Sequence, residues 1–98
     1  MNQIDRITNM EKDLDIVIGE IELFKKSLMN FEKVQKDINR ISKYYGSKVW
    51  YKDKEDYENN KIHNIKAGIL GEDYTYDMLE DNREIAIKML EIATKILK

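Results

Sequence analysis

Between Ile7 and Phe31 apolar side chains fall at Ile7, Met10, Leu14, Val17, Ile21, Phe24, Leu28 and Phe31, in steps of three and four that alternate without a miss. Residues spaced this way stack along one face of an α-helix, and a strict seven-residue repeat keeps that face turned toward a second helix over many turns. The same stripe begins at Ile4 and continues through Val34, Ile38 and Ile41 to Tyr45. Beyond Ile7 the pattern slips once, at Leu28, Phe31 and Val34, where two steps of three follow one another, as they also do at the entry Ile4, Ile7 and Met10. Such a slip is a stammer in a supercoil, or the drift of one long helix around a compact core; the spacing alone admits both.

Local signals bound this helix. Asn2 is placed to cap its start with Asp5 in the first turn, and Thr8 with Glu11 offers a competing capping box. Gly19 is the sole breaker inside the pattern, and one glycine costs about 1 kcal/mol against alanine without ending so periodic a helix. Gly46 supplies a left-handed stop. The first helix is therefore expected over about 2–45.

Ser47 then reads as the N-cap of a short helix at about 47–60, with Val49, Trp50 and Tyr57 inward and the charged run Lys52 to Glu58 as its wet face. Asn59-Asn60 ends it. Residues 61–71 read as a loop or a short turn, in which Gly68 and Gly71 bracket an apolar plug, Ile69-Leu70. A last helix follows over about 72–97, with Gly71 as cap and Glu72, Asp73 and Asp77 near its positive end. Its apolar residues, from Tyr74 and Met78 to Ile96 and Leu97, span an arc of roughly 160°, wide enough for two neighbours. The expectation is one all-α domain over 1–98: a long N-terminal helix packed against a C-terminal helix, with a short middle helix and an aromatic-rich corner, a helical hairpin or three-helix arrangement.

Composition narrows the class. A chain of 98 residues buries only roughly two thirds of its unfolded surface, so its core is small and self-association would help it. There is no cysteine, which removes disulfides, thiolate catalysis and cysteine-based metal sites and makes an intracellular, cytoplasmic setting the default. The opening Met1-Asn2-Gln3-Ile4-Asp5-Arg6 lacks a leader-like apolar segment, and no run approaches the ~18 residues of a membrane span. With 17 basic against 19 acidic side chains the net charge is −2, so the field that attracts nucleic acid is missing. No cofactor, no nucleic acid and no membrane partner are expected. Richness in Lys, Asn and Ile points to a bacterial, AT-rich genome.

Helix lengths bear on assembly. At about 1.5 Å per residue the first helix would reach some 60 Å and the last some 40 Å. If both are straight, the stripe through Ile4, Ile7, Met10, Leu14 and Val17 overhangs, and an exposed apolar seam marks an interface. A homo-oligomer is expected, most simply a homodimer paired through its first helices as a coiled coil.

Sites of chemistry are sparse. All six tyrosines and the one tryptophan lie between Tyr44 and Tyr76, as an aromatic-lined pocket or as a cap on the end of a bundle. Interleaved Asp53, Glu55, Asp56 and Glu58 argue against base stacking there. A lone His63 meets neither the two-histidine spacing of zinc hydrolases nor the carboxylate–histidine pattern of di-iron bundles, and the acidic run lacks the glycine of a calcium loop. No phosphate loop or nucleophile elbow is present, so no catalytic and no metal residues are assigned. Asn82 falls inside the apolar arc of the last helix, where a polar group must find a partner or cost on the order of 1 to 3 kcal/mol; there it fixes register or bonds a tyrosine hydroxyl. Arg83 borders the arc, within reach of Asp77 or Glu80. If a ligand pocket exists, its candidates are Tyr44, Tyr45, Trp50, Tyr76, Asn82 and Arg83.

Two stretches carry a resemblance. Tyr44-Tyr45-Gly46-Ser47 followed by Trp50, and Gly68-Ile69-Leu70-Gly71-Glu72-Asp73 followed by Tyr76-Asp77, Leu79 and Asn82-Arg83, are similar to the signature segments of the bacterial domain of unknown function 4298 family. The resemblance covers nearly the whole chain, the opening helix matching in pattern only. Serine usually stands in that family where Gly71 stands here. The resemblance implies a small helical intracellular protein and supplies no activity. The functional expectation is a non-enzymatic protein–protein interaction module that self-associates; the alternative is a small-ligand-binding or enzymatic module at the aromatic corner.

Overall fold

A computed structural model describes residues 2–98 as three α-helices and one 3-10 turn: α1 (Gln3–Tyr44), α2 (Lys48–Glu58), the 3-10 turn (Gly68–Leu70) and α3 (Glu72–Leu97). No strand occurs among the described residues, and the all-α architecture with its long first helix, short middle helix and aromatic corner is as the sequence predicts. The chain divides into two units, the first ending at Asp37 and the second covering Ile38–Lys98. α1 runs through that boundary without a break.

The first unit is one helix. Asn2, not Thr8, closes its start, its Oδ1 accepting from the Asp5 N–H at 2.8 Å. That bond satisfies a donor which has no partner inside the helix. Gly19 lies within the helix and has open space where a side chain would stand. A single helix has no second element in its own unit to cover its apolar stripe. Along it Ile4 is 74 % exposed and even Leu28 is 41 % exposed.

The second unit holds the core, which is small: Trp50, Leu70 and Thr75 are its fully buried residues among those described. Around them the 3-10 turn packs on both α2 and α3. Val49 and Tyr57, expected inward with Trp50, are instead exposed. For Val49 the reason is helical phase: with Trp50 turned in, its neighbours one turn on are Asp53 and Lys54, and both are half-buried. Tyr57 is in phase with Trp50 two turns on, and stays exposed in the last turn of α2. The middle helix is thus less wet on that face than its charges suggest, because two of them have partners.

On α3 the broad apolar arc is covered only in part. Met78, Leu79, Asn82 and Met89 are half-buried, whereas Ile85, Leu90, Ile92, Ile96 and Leu97 stay exposed. Gly71 caps this helix with φ −80° and ψ 144° and gives it no side-chain hydrogen bond. Glu72 and Asp73 in the first turn offset that loss by facing the positive end of the dipole. Among the described residues no helix is long and apolar enough to cross a membrane.

Candidate functional site

The aromatic corner is built by two helix terminators and one cap. Gly46 takes φ +78°, a left-handed conformation that a side chain would strain, so the chain leaves α1 sharply. Ser47 follows with extended backbone, and its Oγ accepts from the Trp50 N–H at 3.2 Å. α2 therefore starts within three residues of the end of α1, and its first turn carries Trp50 inward. At the far end α2 closes on Asn60, also left-handed at φ 59°. The Asn60 N–H reaches the Tyr57 carbonyl at 3.1 Å and the Lys61 N–H reaches that of Asp56 at 2.8 Å, the paired bonds of a Schellman stop.

Trp50 is the centre of the corner. It is 2 % exposed, and its indole Nε1–H donates to the Ile69 carbonyl at 2.9 Å, so the ring's one polar atom is satisfied by the plug that the glycines bracket. Tyr45 meets it edge to face at 5.1 Å between centroids and Tyr51 at 4.9 Å. Lys54 Nζ stands 5.2 Å over the indole and pairs with Glu72 Oε1 at 2.9 Å. The Tyr45 hydroxyl donates to the Glu72 backbone carbonyl at 2.9 Å. One tryptophan thereby gathers the end of α1, the first turn of α2, the 3-10 turn and the start of α3.

Charges at the corner are tuned by their partners. The Tyr44 hydroxyl donates to Asp53 Oδ2 at 2.6 Å, and its pKa is pushed up to about 12, first by that bond, then by lost hydration and by the nearby carboxylate charge. Lys54 is raised chiefly by its bond to Glu72, against lost hydration, and Lys52 chiefly by Asp56, 3.2 Å away. Lys61 approaches the same Asp56 oxygen at 3.9 Å. Each of these polar groups is matched to another on a neighbouring turn or element, which makes the corner a joint.

Of the six sequence candidates, Tyr44, Tyr45 and Trp50 meet at this corner. Tyr76 and Arg83 are exposed on α3, and Asn82 is half-buried there and engaged by a neighbouring group. His63 is exposed on the loop. Beside the corner lies a cavity of about 390 Å³, lined mostly by apolar atoms of Ile41, Ile69, Tyr74 and Met78, with Lys66 and Thr75 adding polar groups. None of the six candidates lines it. Its walls carried sequence signals separately, Ile41 in the first stripe, Ile69 between Gly68 and Gly71, and Tyr74 and Met78 in the last arc, and only the fold joins them and adds Lys66. Among the described residues no three His, Cys, Asp or Glu side chains group as a metal site.

Fold and corner define a class: a small strand-free helical protein whose end is locked by a buried tryptophan. More narrowly, the chain belongs to the domain of unknown function (DUF4298) family, whose profile matches residues 7–92, a span that holds the corner, the 3-10 turn and most of both long helices. No curated protein and no solved structure matches the chain.

Proposed function

We propose that this protein is a non-enzymatic interaction module of the bacterial cytoplasm, and that the partner of its first helix is the first helix of a second copy. The observation that carries the reading is the heptad stripe on α1, unbroken from Ile7 to Leu28, preceded by Ile4 at its edge, and exposed throughout on a helix that is alone in its unit. Most helical stability in proteins comes from packing an apolar face, so a helix of this length with an open stripe calls for a partner. The self-associating surface centres on Ile4, Ile7, Met10, Leu14 and Val17 and extends along the repeat to Phe31.

Charge placement supports a like partner, and a parallel one. With Ile7, Leu14, Ile21 and Leu28 at heptad a and Met10, Val17, Phe24 and Phe31 at d, Arg6 and Glu20 occupy g positions while Glu11 and Lys25 occupy e positions. In a parallel pair Arg6 of one chain faces Glu11 of the other, and Glu20 faces Lys25, both attractive. Remaining g–e pairs, Asp13 with Ile18 and Ser27 with Glu32, set no like charges together. The ligand-pocket alternative at the corner has less support, because Trp50 fills the space that a ligand would take. The absence of cysteine and the Lys, Asn and Ile richness are the support for the cellular setting.

Because the chain has no cysteine, crosslinking tests the reading cleanly. Gln3 sits at a d position, so Gln3→Cys chains are expected to form a disulfide-linked dimer on mild oxidation. A disulfide between Gln3→Cys and Leu28→Cys chains, a d position against an a position, with none between two Gln3→Cys chains, marks antiparallel pairing and overturns the parallel register. No crosslink in either mixture contradicts pairing through α1.

A further inference from the structure

The cavity beside the corner has a chemistry of its own. Its walls are aliphatic and aromatic, from Ile41 at the end of α1, Ile69 in the 3-10 turn, and Tyr74 and Met78 in the first turns of α3. At about 390 Å³ it falls within the roughly 300–1,000 Å³ of small-molecule pockets. A single charged residue, Lys66, lines it, and no carboxylate does. Lys66 and Tyr74 are exposed, Ile41, Ile69 and Met78 half-buried and Thr75 buried, so the cation belongs to the wet side of the cavity and Thr75 to its inner side.

We propose that this cavity binds a small amphiphile with an apolar tail and one carboxylate, the head paired with Lys66 and the tail against Ile41, Ile69 and Met78. Charge selects the class. A cationic head would meet Lys66 with like charge and find no acid on the lining, and a neutral apolar molecule would gain nothing from the ammonium. A single lysine matches a single negative charge. The site is continuous with the corner, since the Ile69 carbonyl that accepts from the Trp50 indole belongs to a residue of the cavity wall. Occupancy is therefore read out by the chain's one tryptophan.

The test is titration of the intact protein with decanoate, below its micellar concentration, followed by calorimetry and Trp50 fluorescence. One-per-chain saturable binding with a change in tryptophan emission is expected, with decanol weaker and decyltrimethylammonium weaker still. Lys66→Gln, in an exposed loop position, is expected to weaken decanoate by about tenfold, the size of one charge-assisted hydrogen bond, while leaving decanol unchanged. Ile41→Asp, which sets a like charge on the apolar wall and keeps Trp50 the one tryptophan, is expected to abolish decanoate binding and weaken decanol, with helicity checked by circular dichroism. Equal affinity for the anionic and cationic probes, or an unchanged decanoate affinity in Lys66→Gln, overturns the assignment. So does an apparent affinity that falls as protein concentration rises, which means that a second chain covers the cavity.

Discussion

The Tyr44–Asp53 bond is short, at 2.6 Å, and joins the last turn of α1 to the second turn of α2. Because the phenol must keep its proton to donate, its folded pKa stands near 12 against an ordinary 10.0. A group whose folded pKa is raised stabilises fully below its unfolded value and loses that contribution as pH climbs through the folded one. Tyr44→Phe is accordingly expected to cost about 1 kcal/mol near neutral pH, with the gap to the parent chain closing between pH 10 and about 12. Denaturant unfolding of both chains across that range checks it; a gap that is constant with pH removes the bond from the account. The aromatic residues of this joint stood out in the sequence as a block. Their partners did not: Asp53 reads as one more charge on a wet helix face, and only the corner, nine residues after Tyr44, turns it inward.

Helix ends carry the legible part of the fold. Gly46 as a stop, Ser47 as a cap and Asn59-Asn60 as an end follow from local chemistry that needs no tertiary context, and α2 begins and ends on those signals. Ser47→Ala is expected to lower stability by about 1 kcal/mol by orphaning the Trp50 N–H. Gly19→Ala should act the other way, adding about 0.5 to 1 kcal/mol, since the site is helical, open, and outward in the heptad register. Thermal melts of the two variants separate these signs, and a Gly19→Ala chain that is less stable, or altered in assembly, contradicts the outward placement. Residues 61–71 were not legible in the same way. Their path depends on two asparagines in left-handed conformations, Asn60 and Asn64, and on a carbonyl at Ile69 that is fixed by an indole 19 residues earlier. No local pattern encodes a bond of that range. The inward placement of Val49 failed for a related reason, because on a helix of 11 residues the phase is set by the single heaviest contact, and that is Trp50; Tyr57 shares that phase and is exposed in the last turn.

At the scale of the molecule a small buried core and a long open seam coexist in one chain. The second unit is held by Trp50, Leu70, Thr75 and the bonds around them, while the first presents its apolar residues outward and has no element of its own to cover them. In the proposed parallel dimer a matching seam covers it, and the e and g charges of the two copies are opposite or neutral at each facing pair. Sedimentation equilibrium of the intact chain at micromolar concentration is the most direct test. A particle of twice the 11.7 kDa chain mass is expected, reduced to a single chain by Leu14→Asp at the centre of the stripe. A parent chain that stays at 11.7 kDa across the micromolar range contradicts it.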